Sequence, residues 1–367
     1  MTQAPCRIAY LIDDLSYGGA QRQLVLLAES LRAPYVPVIF CLSQRTDPYG
    51  GHLTQRGIEV IPFRRRSHFD LIRFISLVRT LARKDIDIIQ GVLDASNAYA
   101  YLAGRILHKP TVLSLRSERL RTGPMKARIV CHMYRRCHKI LTNSKAGEKY
   151  LLNTAGVAKS KIALVRNLFP MDAIAPAGSE PYGDTATRGD EIIGYVGRLS
   201  KQKNIDLVIQ AFCKIAPGRP KAKLVIIGDG DQRAPLQRLI DDSHLAERIV
   251  IREPVSDILG EMRQFKCLAL PSANEGLPNV VIESLAVGTP VIGSAVGDVA
   301  ELVIDGQTGV LLREPQVDTI AAAMSRVLSD GEIARSTQRE GPRIVRENFS
   351  VETVIGKYLA LYDSLAG

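Results

Sequence analysis

Short apolar runs alternate with amphipathic helical stretches along nearly the whole chain, and the alternation breaks once. Residues 7–14, 36–43, 57–63, 87–93, 110–116, 139–144 and 162–167 are runs rich in Val, Ile and Leu. Helical patterns such as 21–32, 97–107 and 144–156 lie between them. Strands that are apolar on both faces belong to parallel sheets covered by helices on both sides. The rhythm stops over 170–190, a Pro/Gly/Asp/Thr-rich stretch without apolar period, and resumes at 191–199, 223–231, 248–253, 267–272, 290–297 and 308–312. A chain of 367 residues has room for two such units. The expected fold is α/β, with two doubly wound Rossmann-like domains facing a central cleft and ligands at the carboxyl ends of the strands. The expected boundaries are 1–170 for an acceptor-side domain, 171–190 for a linker, 191–345 for a donor-side domain, and 346–367 for a C-terminal helix packing back across the junction.

Charge is uneven. Residues 1–175 carry 27 Lys and Arg against 12 Asp and Glu, a net of +15, whereas 176–367 carry 21 against 26, a net of −5. The excess gathers at Arg64-Arg65-Arg66, at Arg73, Arg79, Arg83 and Lys84, and from Arg116 to Lys139. Such a face attracts polyanions. Residues 68–84 and 124–140 interleave Arg with Leu, Ile and Phe at helical spacing, a pattern suited to an anionic membrane surface or to a helix with one face in the core. Nucleic acid is not expected as a partner, because no recognition motif accompanies the charge. No run approaches the length of a membrane span and the first residues lack a signal-peptide pattern, so the expectation is a cytoplasmic protein, in contact with the inner face of the membrane. The six cysteines form no C-x-x-C pair, and Cys131-His132 with Cys137-His138 scatters its ligands around a helix, so no metal is expected there.

Three segments carry candidate chemistry. Gly18-Gly19 follows the first strand and opens a helix, where backbone N–H groups can approach a phosphate; a tight turn is the plainer reading. Arg198 and Lys203 flank the start of the first helix of the second half, where the helix dipole already favours anions. Two cations there call for a bound anion, and a diphosphate would take a fork from Arg and a point charge from Lys. Glu275 lies in a strand–helix loop, Pro278 suits a first helical turn, and Glu283 projects from the second turn. Two carboxylates so placed accept hydrogen bonds from separate hydroxyl groups, as on a sugar and a ribose, with the backbone of 276–280 beside them. A hydrolase acid/base pair also uses two carboxylates, but that class gives no role to the Arg/Lys pair. The Asp-x-Asp matches at Asp85–Asp87 and Asp229–Asp231 are too short to count as metal sites.

With these motifs in view, the chain resembles the family-4 retaining glycosyltransferases of the GT-B fold. The residues that carry the resemblance are Gly197-Arg198-Leu199 with Asn204, the turn 228–231, and Glu275-Gly276-Leu277-Pro278-Asn279 with Glu283 and Gly288-Thr289-Pro290. Gly18-Gly19 and Asn143-Ser144-Lys145 add weaker matches. The resemblance implies that Arg198 and Lys203 bind the donor diphosphate and stabilise the leaving nucleotide. It implies that Glu275, with Gly276, Leu277, Pro278 and Asn279, holds the donor sugar, and that Glu283 binds the ribose. Arg252 to Val255 would lie near the base, and Gly18 and Gly19 would close over the phosphates. Arg116 stands where the family often has a His, which places it with Glu275, Arg198 and Lys203 in the catalytic set. Asn167-Leu168 replaces the usual Asn-Gly, and Asp298 replaces a frequent second glycine. The resemblance implies no metal and no cofactor.

The reading is therefore a retaining hexosyl- or N-acetylhexosaminyltransferase. It would use a nucleotide-diphosphate sugar, a UDP-sugar first, and a saccharide or lipid-linked acceptor in surface polysaccharide or lipopolysaccharide synthesis. The alternative is a nucleotide-sugar epimerase of the same architecture. A basic nucleic-acid-binding module is the non-enzymatic alternative.

Overall fold

The computed structural model of the protein describes residues 4–64, 70–118, 120, 122–174 and 189–366. The chain divides into two compact units, Met1–Leu168 with Val351–Gly367, and Phe169–Ser350.

In the first unit the strands are β1 (Cys6–Ile12), β2 (Tyr35–Cys41), β3 (Glu59–Pro62), β4 (Ile88–Gly91), β5 (Thr111–Leu115), β6 (Lys139–Thr142) and β7 (Ile162–Leu164). Its helices begin with α1 (Gly19–Ser30), α2 (Tyr49–Gln55), α3 (Leu71–Arg83), α4 (Asp94–Leu107), α5 (Pro124–Arg136) and α6 (Lys145–Asn153). The sheet is parallel throughout, in the order β3-β2-β1-β4-β5-β6-β7. The period of two along β1 sorts its side chains between two cores. Ile8, Tyr10 and Ile12 pack with Leu24 and Leu27 of α1, while Ala9 and Leu11 pack on the opposite face with Leu77 of α3, Ala103 of α4 and Tyr134 of α5.

The second unit contains β8 (Glu191–Val196), β9 (Ala222–Ile227), β10 (Ile249–Arg252), β11 (Phe265–Leu270), β12 (Val291–Ser294) and β13 (Gly309–Leu312). Its helices are α7 (Ile205–Ile215), α8 (Arg233–Asp242), α9 (Ile258–Gln264), α10 (Asn279–Ala286), α11 (Val299–Leu302), α12 (Val317–Ser329) and α13 (Gly331–Phe349). Its sheet is also parallel, in the order β10-β9-β8-β11-β12-β13.

The structure moves the expected boundaries. Phe169, not residue 171, leaves the first unit: its N–H donates to the Phe349 carbonyl at 2.7 Å, and its ring joins the core of the second unit. The second unit runs on to Ser350 rather than ending at 345. The terminal helical stretch is two helices, because Ser350 leaves the helical conformation (ψ 149°) between α13 and α14 (Val351–Asp363). α14 is part of the first unit and buries Val354, Tyr358, Leu361 and Tyr362 in the core on the α1 side. Most of the expected linker, 175–188, lies outside the described residues, as do Arg65, Arg66, Arg119 and Arg121 of the basic runs.

Candidate active site

In the second unit β8 and β11 are neighbours, and the connections reverse direction between them: β9 and β10 run out on one side, β12 and β13 on the other. Loops that diverge from such a pair leave a crevice at the carboxyl ends, the usual ligand position in open parallel sheets. Arg198 and Lys203 follow β8, and Glu275 follows β11.

The Lys203 ammonium forms an ion pair with Glu275 Oε1. The two side chains are only 15% and 11% exposed, so each charge depends on the other for compensation. The sequence expectation of an uncompensated cation at a helix start is corrected here. Lys203 closes a short 3-10 turn (Lys201–Lys203), α7 starts two residues later after Asn204, and Asp206 supplies that helix with its own acidic first turn. Arg198 is exposed. The buried Tyr195 hydroxyl donates to its carbonyl at 3.0 Å, and burial, with the nearby Glu275 charge, raises the Tyr195 pKa and keeps it a neutral donor.

Backbone contacts hold these loops. Leu199 N–H donates to the Asp229 carbonyl at 2.9 Å, and Ala273 N–H donates to the Gln202 carbonyl at 2.8 Å. Asn204, at a left-handed φ of 52°, donates its side-chain amide to the Pro271 carbonyl at 2.9 Å. Gly228 in the turn after β9 sits at φ 154°, and a Cβ there would lie 1.9 Å from the Gly197 carbonyl oxygen. Gly297 (φ 54°) leaves no more room: a Cβ would lie 2.3 Å from the Glu275 carbonyl oxygen. These approaches require glycine and fix the Glu275 loop against its neighbours. Asp298, which replaces a glycine of the family pattern, uses its N–H on the Gly276 carbonyl at 2.8 Å. Three buried polar atoms of the same loops, Ser200 Oγ, Gln202 Oε1 and Ser272 Oγ, have no hydrogen-bond partner among the described residues.

Gly276, Leu277 and Pro278 are buried beside Glu275. Pro278 precedes α10 rather than occupying its first turn, and no side chain of Pro278 caps that helix. Glu283 is the fifth residue of α10 and is 6% exposed. Arg252 has a partner that the sequence did not suggest. It ends the edge strand β10, and its guanidinium forks onto the buried Glu261 at 2.8 and 2.9 Å. That geometry makes it a structural ion pair first. Val255 is half-buried against the core.

Gly18, Gly19 and Arg116 belong to the first unit. Gly18 precedes α1 in an extended conformation that any residue adopts (φ −179°). Asp14 Oδ1 organises this loop by accepting from Ser16 N at 3.1 Å, Ser16 Oγ at 2.5 Å and Gln21 Nε2 at 3.2 Å. Asp13 accepts from Ser96 N at 3.0 Å in the first turn of α4. Arg116 follows β5 half-buried, with Nε buried and unpartnered among the described residues. Ser144 caps α6 through Gly147 N at 3.0 Å, and Asn143 donates to Asn167 at 2.9 Å, so Asn167 ties two loops together. Asp87 accepts from Arg7 N at 2.8 Å, and the Asp229 carbonyl holds Leu199, which gives both Asp-x-Asp matches structural roles. Among the described residues, no three His, Cys, Asp or Glu converge as a metal set. The Cys137 thiol is buried and its pKa is pushed up to about 12.

Sequence reasoning missed Tyr195 and Glu261, and it quoted Gly297 and Asn204 without a role. Tyr195 stands beside quoted motif residues and carried that much signal.

Two sequence families match successive parts of this chain: Glycosyltransferase Family 4 over residues 17–172, and Glycosyl transferases group 1 over residues 184–343. The first match takes in β2 to β7 and the second β8 to β13, so each falls on one parallel sheet. The chain is a two-domain glycosyltransferase of the GT-B fold. A solved neighbour, Anabaena Alr3699/HepE in complex with UDP and glucose, superposes with a TM-score of 0.86 over 98% of this chain and 99% of that one, at 20% identity. The 2-deoxystreptamine glucosyltransferase of Streptomyces kanamyceticus is 26% identical over 79% of this chain and 80% of its own length. The lipopolysaccharide core biosynthesis mannosyltransferase LpcC of Rhizobium leguminosarum bv. viciae is 28% identical over 52% of this chain and 56% of its own. The glycosyltransferase thus spans most of the first relative and little more than half of the second.

Proposed function

We propose that the protein transfers a hexosyl or N-acetylhexosaminyl group from a UDP-sugar, with retention, to a saccharide or lipid-linked acceptor in surface polysaccharide or lipopolysaccharide synthesis. The observation that carries this reading is the Lys203–Glu275 pair, with Arg198 on the same loop, at the β8/β11 reversal. Two compensated charges at a ligand position are ready to exchange partners: the ammonium for a diphosphate, the carboxylate for sugar hydroxyls. Glu283 on α10 is the proposed ribose ligand. Arg198 and Lys203 stabilise charge that grows on the departing nucleotide. In the proposed step the acceptor oxygen bonds to the anomeric carbon on the face the phosphate leaves. The carbon–oxygen bond to the distal phosphate breaks with its electron pair going to phosphate, and the acceptor proton passes to a phosphate oxygen. Gly18, Gly19 and Arg116 are the proposed contribution of the first unit, and the reading includes no resident metal or cofactor.

Incubation with UDP-sugars, with and without a saccharide acceptor, tests the assignment. Transfer that needs acceptor, keeps the anomeric configuration and survives EDTA is the expected result. An epimerised sugar formed without acceptor would replace the reading with the isomerase.

A further inference from the structure

Seven of the ten large apolar side chains exposed among the described residues sit on α3, α4 and α5. These helices follow one another over the same face of the first sheet and share one core. Their outward apolar positions include Ile72 and Ile75 on α3 and Met125 and Ile129 on α5, between 40% and 77% exposed. The same two helices also carry outward basic positions: Arg79 and Arg83 on α3, Arg128 and Arg136 on α5, all exposed. Neither α3 nor α5 contains an acidic residue. Not every arginine of the run faces out. Arg73 is buried, donating to the Leu42 carbonyl at 2.6 Å and lying over the Tyr99 ring at 4.9 Å, so the basic face is narrower than the sequence suggested.

Exposed apolar groups among basic ones, with Asp94 of α4 the single acidic residue on the three helices, suit one kind of surface. Nucleic acid would engage the arginines but leaves Ile and Met in water, whereas a bilayer takes both: acyl chains for the apolar tips, anionic headgroups for the guanidinium groups. We propose that the α3–α4–α5 face docks onto an anionic lipid bilayer and lies on it. Among the described residues no helix is long and apolar enough to cross a membrane. The proposal does not depend on the transferase reading.

Co-sedimentation of the full chain with phosphatidylcholine vesicles, with and without phosphatidylglycerol, tests it. The wild type is expected to bind the anionic vesicles in a salt-sensitive way and to ignore the zwitterionic ones. Combining Arg79→Glu, Arg83→Glu, Arg128→Glu and Arg136→Glu should lower partitioning about tenfold or more, at about 1 kcal/mol per basic residue near the surface. Combining Ile72→Ser, Ile75→Ser, Met125→Ser and Ile129→Ser should do the same. The pair Arg32→Glu and Arg56→Glu, on the α1–α2 side of the sheet, should leave binding unchanged. Thermal melts check that each variant is folded, and if the serine set misfolds, the charge set decides. Equal binding to both vesicle types, or unchanged binding by the charge set, would overturn the proposal. So would a wild-type dimer that the serine set converts to monomer, because the face would then be a contact between copies of this chain.

Discussion

The two units are built on the same plan, a parallel sheet whose connections reverse beside its first strand, yet their first loops differ in chemistry. After β1 the polar groups satisfy one another: Asp14 is used by Ser16 and Gln21, and Asp13 by the start of α4. After β8 the loop presents Arg198 and reaches across to the β11 loop through Lys203 and Glu275. The first loop is internally complete. The second holds charges whose partners can be exchanged, and it contains buried polar atoms that stay unpaired among the described residues. A fold alone therefore does not mark the chemistry; what marks it is which of two equivalent loops keeps its charges available.

The contrast can be broken by substitution. Lys203→Ala and Glu275→Gln should each reduce turnover by on the order of a hundredfold or more in protein that remains folded, although Lys203→Ala also costs stability by leaving the Glu275 carboxylate unpaired. Steady-state rates on purified variants check this, and wild-type rates in either would remove the distinction between the loops. Arg252→Ala should act on stability instead, because it strands the buried Glu261 carboxylate. Since the arginine is 23% exposed, about 2 kcal/mol is expected, below the full range for buried pairs. Denaturant unfolding measures that loss, and a raised KM for donor with unchanged stability would return Arg252 to the base-binding role. Tyr362→Phe tests the first unit. It removes a hydroxyl that links Tyr10 at 2.8 Å to Gln90 at 2.9 Å, and should cost about 1 kcal/mol of stability with turnover unaffected. Lys201→Ala, two residues from Lys203 and exposed, should change turnover by less than about twofold. A larger effect than Lys203→Ala would mean that the wrong lysine has been assigned.

Both sheets were legible because parallel strands buried on two faces have to be apolar throughout. Ile192 and Ile193 are successive residues of β8 that point to opposite faces, and both are buried, so an unbroken apolar run was the signal to look for. The place of Glu283 in the second turn of α10 was legible because Pro278 marks where that helix begins. The Lys203–Glu275 pairing was not. Those residues are 72 positions apart, and only the adjacency of β8 and β11 brings them together. The partner of Arg252 was hidden for the same reason, since Glu261 lies on the helix beyond an irregular loop. The last helical stretch hid a break at Ser350 because neither Pro nor Gly stands beside that residue to mark it. The glycines at 228 and 297 were visible as letters, but their reason is a backbone approach between loops that sequence spacing does not show.

The most direct test of the central claim is calorimetric titration of UDP into the wild type, Lys203→Ala and Gly18→Ala. The account predicts wild-type binding, at least about a tenfold loss for Lys203→Ala as expected for a charge-assisted contact, and a smaller loss for Gly18→Ala. Equal affinity in wild type and Lys203→Ala, with the larger loss in Gly18→Ala, would contradict it and move the nucleotide site to the first unit.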